Sequence, residues 1–220
     1  RKIATASNIL DLMGEYRTRA LFSSKSMPLR EACVKKTLQM VQNNEFKEVP
    51  GEKEAIPGLM GVVRVGLGDK MLQVYLGATD LLETVLKLMK QVKISKNEVT
   101  HLIEDVVASL LIRLNDEFSA VCESSMQSLK FIAEISPLGA TVVFKQCMSD
   151  MPKKHQQNWH TIHYRIIIVN DIVNATGMSE KSGVTTDMIL DFLKNTKTYT
   201  HKNKEVCEVT KNLLCDVSKI

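Results

Sequence analysis

Apolar positions recur along this chain in a fixed relation to short polar turns. The segment Gly68-Asp69-Lys70-Met71-Leu72-Gln73-Val74 runs into a helical stretch bearing Leu81-Leu82. Asn115-Asp116-Glu117-Phe118-Ser119-Ala120-Val121 leads in the same way to Ser128-Leu129, and Lys202-Asn203-Lys204-Glu205-Val206 to Leu213-Leu214. In each copy the valine stands seven and eight residues ahead of an inward pair, two helical turns along one face. Val74 and Val121 are 47 residues apart and Val206 follows 85 later, about two further periods. A period of roughly 40–47 residues is that of arrays of stacked helix pairs.

The punctuation between apolar runs predicts ten helices in five pairs. Ser7 caps a helix to about residue 21 with Ile9, Leu10, Met13 and Tyr16 on one face. Pro28 opens a second, to about 41. The next spans 53–67 and is ended by Gly66 and Gly68; its partner spans 71–91. Ser95 with Glu98 forms a capping box for a helix ending at Asn115, and another spans 117–135. Ser136-Pro137 starts a helix that Pro152 stops after Met151; a 157–176 helix follows. Thr185 or Thr186 caps a helix to Lys197, and Asn203 caps the last, to about Ser218. No stretch alternates as a strand does. The expected fold is an all-α solenoid of HEAT-type helix pairs, five to six repeats in a flat paddle, with residues 1–220 as one domain cut from a longer protein. Short turns within pairs would then line one narrow edge, the natural surface for a macromolecular partner.

Composition narrows the class. The chain is 44% hydrophobic but only 5% aromatic, with 11 methionines, a balance that suits helix-on-helix packing. Its 29 basic and 25 acidic residues leave a net charge of +4, compatible with an acidic protein partner and too dilute for a nucleic-acid stripe. Five scattered cysteines without a CxxC suggest reduced intracellular thiols, and the longest apolar run, Ile166 to Val169, is far too short to span a membrane.

Candidate chemistry is sparse. His160 and His163 are spaced to share a metal, with His155 nearby, but no Cys or carboxylate completes a zinc set. Gly66-Leu67-Gly68-Asp69-Lys70 follows a helix, not a strand, so it caps a helix and is no phosphate cradle. No nucleophile–base set is suggested, and neither catalysis nor a cofactor is expected. Trp159 falls in the column of Val74 and Val121, which makes it a core plug; tryptophan is also the residue most enriched at interface hot spots. Lys25, Lys70, Lys202 and Lys204 all fall at the short turns, an electrostatic signal for an acidic partner.

At those turns the chain resembles a TOG domain, a HEAT-repeat module that binds αβ-tubulin through five intra-repeat loops, and within that family the centrosomal, ciliary-tip type. The residues that carry the resemblance are Ser24-Lys25-Ser26-Met27-Pro28-Leu29-Arg30-Glu31-Ala32, Asp69-Lys70 ahead of Val74, Glu98-Val99-Thr100-His101, and Asn115-Asp116 with Ser119-Ala120. Gly183-Val184-Thr185 and Lys204-Glu205-Val206 complete the set. The resemblance implies a first loop at 24–28 with Lys25, and Met27 where the family often has tryptophan. It implies a second at 68–72 with Asp69 and Lys70, and a third at 115–119 with Asn115, Asp116 and Phe118. The fourth would lie at 155–159 with Gln157, Asn158 and Trp159, and the fifth at 200–204 with Lys202, Asn203 and Lys204. The implied partner is αβ-tubulin, with no nucleic acid and no membrane, and the implied setting is the cytoplasm and cytoskeleton, at the centriole or ciliary tip. The isolated domain is expected to be monomeric. Asp116 and Glu117 make the third loop acidic, and Ala120 and Cys207 stand near positions the family often makes basic. A HEAT-type scaffold for a different protein or peptide is the alternative; a base-excision enzyme would need basic concave helices that this chain lacks.

Overall fold

The structure, a computed structural model, describes residues 2–46, 51–92, 94–149, 151, 158–180 and 182–219; side chains 2–5 and 137 fall outside that description. Ten α-helices stand among the described residues: α1 Lys2–Leu21, α2 Met27–Gln42, α3 Glu52–Leu67, α4 Leu72–Gln91, α5 Lys96–Arg113, α6 Ser119–Ile135, α7 Pro137–Met148, α8 Trp159–Thr176, α9 Thr186–Asn195 and α10 Lys204–Val217. A 3₁₀ turn, Thr198–Thr200, precedes α10. The chain forms two compact units, Arg1–Ser109 and Leu110–Ile220, and the division falls within α5.

In the first unit α1 packs on α3 and α2 on α4, so the first helices of successive pairs form one layer and the second helices another. The sequence drives this arrangement through α3, where Ile56, Leu59, Met60 and Val63 are all essentially sealed from solvent. Each such side chain contributes about 1.5–3 kcal/mol of burial. Gly66 does not end α3. It lies inside the helix, where a Cβ would sit 2.5 Å from the Ala78 Cβ, so glycine is what lets α3 and α4 approach so closely. The cap is Gly68, in an ordinary right-handed conformation.

The second unit repeats the plan: α6 packs on α8 and α8 on α10, with α7 against α6, α8 and α9. Val121, Leu129, Ile132, Phe144, Ile166 and Val169 form its sealed core. Ser136 caps α7 by accepting the Gly139 N–H at 3.0 Å, as the Ser-Pro signal predicts. Ser95 likewise accepts the Glu98 N–H at 3.3 Å.

Several boundaries differ from expectation. Ser7 is no cap, because α1 extends back to Lys2 and is broken instead at Gly14, whose φ of 76° interrupts the helix. The α5 helix stops at Arg113, ahead of Asn115, and α7 stops at Met148, ahead of Met151. After α9 the backbone turns left-handed at Lys197, which hands the chain to the 3₁₀ turn. No described helix is long and apolar enough to cross a membrane.

Candidate functional site

The turns inside the helix pairs are built by one local device. In the second turn Asp69 Oδ1 accepts the Met71 N–H at 2.9 Å, and in the third Asp116 Oδ1 accepts that of Phe118 at 3.1 Å. In the fourth Asn158 Oδ1 accepts from His160 at 3.0 Å and Thr161 at 3.3 Å, and in the fifth Asn203 accepts from Glu205 at 2.8 Å. An Asx side chain that takes the N–H two residues on mimics a backbone turn and satisfies a donor the helix start would leave orphaned. Asp69, Asp116, Asn158 and Asn203 therefore shape the loops. All four come from the sequence-derived set, but their side-chain oxygens are committed to the protein itself.

The first turn has no such residue. Ser26 precedes α2 without a side-chain capping bond, and Arg30 does the work from the first turns of α2. Its Nε donates to Asp69 Oδ2 at 2.6 Å, Nη2 to Asp69 Oδ1 at 3.2 Å, and Nη1 to the Ser23 carbonyl at 2.8 Å. One guanidinium thus ties the first loop to the second. Burial works against ionised Asp69, but Arg30 and the N–H groups of Met71 and Lys70 outweigh it and hold the carboxyl below the usual range.

In the second unit the side-chain amide of Asn158 donates to Asn115 Oδ1, joining the fourth loop to the third. Asp116 pairs with Arg113 at 3.2 Å, so the acidity expected of the third loop is neutralised at Asp116, and Glu117 is left as its outward carboxylate. In the fifth loop His201 Nδ1 accepts the Asn203 N–H at 3.1 Å, and Cys207 is tucked beneath, with Sγ 3.3 Å from the His201 carbonyl.

Trp159 does not plug the core. It is the first residue of α8, half-buried, with its ring stacked 3.7 Å from that of His160 and edge-on to His163 at 6.0 Å. The buried column that holds Val74, Val121 and Val206 is filled in α8 by Thr161, the third residue after its cap, as Val206 is after Asn203. Burial lowers the pKa of His163, against the pull of the Glu205 carboxylate. His160 and His163 thus belong to an aromatic cluster at the mouth of the fourth and fifth loops.

Apart from Glu117, what the site residues turn outward is cationic and apolar. Lys25, Lys70, Lys202 and Lys204 are exposed, and Met27 at the start of α2 is half-buried. Phe118 is 55% exposed, and Met71, at the same register one repeat earlier, is 38% exposed. Met71, Arg30 and Arg113 are absent from the sequence-derived set; only the register of Met71 with Phe118 could have signalled one of them. Gln157 lies outside the described residues.

Residues 3–213 match the family model described as the TOG domain of the centrosomal protein CEP104. The chain belongs to the CEP104 TOG-domain family. The fold of this TOG domain agrees with two solved structures. One is described as a CEP104 TOG domain, with 20% identity and a TM-score of 0.77 over 97% of this chain and 82% of that one. The other is the TOG domain of human Cep104, with 18% identity and a TM-score of 0.77 over 97% of this chain and 81% of that one. At such identities the likeness establishes the shared fold. No curated protein sequence matches the chain. This TOG domain is thus a helical-repeat scaffold, an architecture of binding modules.

Proposed function

We propose that this TOG domain binds αβ-tubulin through its intra-repeat loops, as part of a microtubule- or cilium-associated protein, and that it is not an enzyme. The observation that carries the reading is the division of labour in the loops. Asx residues and Arg30 fix the backbone from within, while Lys25, Lys70, Lys202 and Lys204 remain exposed toward an acidic partner. A pre-shaped loop spends little ordering entropy on binding, and its lysines contribute orientation and on-rate in a salt-dependent way. Met71 supplies apolar contact beside Lys70, and Phe118 supplies it in the third loop.

The test is gel filtration of the chain with purified tubulin at low and moderate salt. Co-elution that weakens with salt, and weakens again in Lys70→Glu and Lys202→Glu, supports the proposal. Absence of co-elution at either salt, with both proteins at tens of micromolar, refutes it for this domain. Half-buried Met27, at a position the family often fills with tryptophan, favours a second reading in which the same loops take a different protein. Recovery of such a partner through Lys70-dependent contacts, with tubulin unbound, would establish it.

A further inference from the structure

A hollow of about 270 Å³ opens in the second unit at the far end of its helices from the loops. Its floor is Ala133 of α6, Ala140 of α7, and Ile168, Ile172 and Ala175 of α8. Pockets for drug-sized ligands run to roughly 300–1,000 Å³, so this one lies just below that range, with room for an aliphatic side chain together with its flanking backbone. Ala133 lies fourteen residues beyond the start of α6, about 21 Å along the helix from the third loop. A ligand here would leave the third and fourth loops uncovered.

The rim sets the charge of the ligand. Lys130 Nζ reaches Asp171 Oδ2 at 2.6 Å, and Glu134 is an exposed second carboxylate on the same rim. Both α6 and α8 end at the hollow, and a helix carboxyl end carries roughly half a negative charge. The α7 start also lies at the hollow and brings the opposite partial charge, so of the three helix termini there two are negative and one positive. Two carboxylates and two helix carboxyl ends thus face one lysine and one helix start, which leaves the rim negative. The Lys130–Asp171 pair is partly exposed, of a kind worth about 0–1 kcal/mol, so an incoming cation can compete for Asp171.

We infer that this hollow is a second docking site, which takes a peptide segment of a partner protein carrying an aliphatic anchor flanked by lysine or arginine. Methyl-NMR titration of the 220-residue chain tests it, with alanine and isoleucine methyls labelled. The probes are acetyl-Lys-Leu-Lys-amide, acetyl-Glu-Leu-Glu-amide and acetyl-Lys-Gly-Lys-amide. The basic leucine peptide should shift the Ala133, Ala140 and Ala175 methyls saturably in the millimolar range, and the other two should not. Glu134→Lys, a surface change, should weaken that titration at least about fivefold. Ala175→Phe, which fills the hollow, should abolish it. The inference fails if no saturable shift occurs, if the acidic peptide shifts the same methyls equally, or if Glu134→Lys is without effect. Shifts that grow with protein concentration alone would make a second copy of this chain the occupant and overturn the peptide assignment.

Discussion

The bridge between Arg30 and Asp69 offers the sharpest test of how the first two loops are held. The two side chains are only 16% and 10% exposed, and two N–O contacts of 2.6 and 3.2 Å join them. At about 3 Å and an effective dielectric near 20, the gross attraction is roughly 5 kcal/mol. Desolvation and side-chain ordering offset much of it: exposed pairs net about 0–1 kcal/mol, while breaking a buried pair costs about 3–5. A partly buried bidentate pair falls between, at about 2 kcal/mol. The informative variants are Arg30→Met, which keeps the aliphatic stem, and Asp69→Asn, which can still accept the Met71 N–H. A double-mutant cycle by urea unfolding, followed by circular dichroism, should give a coupling of about 2 kcal/mol. A coupling within about 0.5 kcal/mol of zero would refute the bridge as the element that fixes the loops.

The same pair has a pH signature. The Asp69 carboxyl titrates lower in the folded chain than in the unfolded one, so its contribution is complete above the unfolded value of about 3.9. It is lost as pH falls through the folded value, because the unfolded state binds the proton first. The stability gap between the parent chain and Asp69→Asn should therefore be constant near neutrality and narrow in acid. A gap that widens as pH falls would reverse the sign and contradict the assignment.

Other consequences are quicker to check. Met71→Ser and Phe118→Ser remove exposed side chains, so urea midpoints should hold within about 0.5 kcal/mol while tubulin affinity falls about fivefold or more; unchanged affinity in both would remove these residues from the contact surface. Asn158→Ala deletes a helix cap and the link to Asn115 and should cost about 1–2 kcal/mol by denaturation, whereas Asn158→Asp keeps the cap, loses the donor and should cost less. Iodoacetamide at pH 8, read by mass spectrometry, should modify exposed Cys215 first. Cys147 and Cys33 should react only on unfolding, since burial pushes their thiols up to about 12 and about 11; prompt native-state labelling of Cys147 would contradict the packing of α7.

The helix pairs were legible because their ends are marked by local chemistry. Ser136-Pro137, Ser95 with Glu98, and Asn203 each start a helix through groups within a few residues, and such signals survive in a single sequence. The valine column was legible for the same reason, since a two-turn spacing needs no knowledge of tertiary structure. What stayed hidden depends on partners far along the chain. Arg30 meets Asp69 across 39 residues and Asn158 meets Asn115 across 43, and neither pairing leaves a local trace. Gly66 looked like a stop signal because glycine has two uses, and only the approach of Ala78 selects the second. Trp159 was misplaced by two residues of register, enough to turn a side chain from the core toward the loop. Counting from the Asn158 cap, and not from the valine spacing, puts Thr161 in the column.

That register also separates two kinds of loop. In the fourth and fifth, the asparagine is itself the cap, and the next residues, Trp159 and Lys204, begin the helix. In the second and third, the aspartate stands two residues earlier, which releases the cap position to Met71 and Phe118 and turns both toward solvent. The aspartates there are not surface repulsion against an acidic partner, because Arg30 and Arg113 neutralise them within the protein. With Asp69 and Asp116 so paired, the second loop presents Lys70 beside Met71, and the third presents Glu117 beside Phe118. The third loop is therefore suited to apolar contact, with the second and fifth carrying the cationic attraction. Salt should accordingly weaken a Lys70→Glu or Lys202→Glu variant's residual binding less than it weakens the parent's, while Phe118→Ser keeps the parent's salt slope. Equal salt slopes in all of them would mean that the loop charges do not meet the partner.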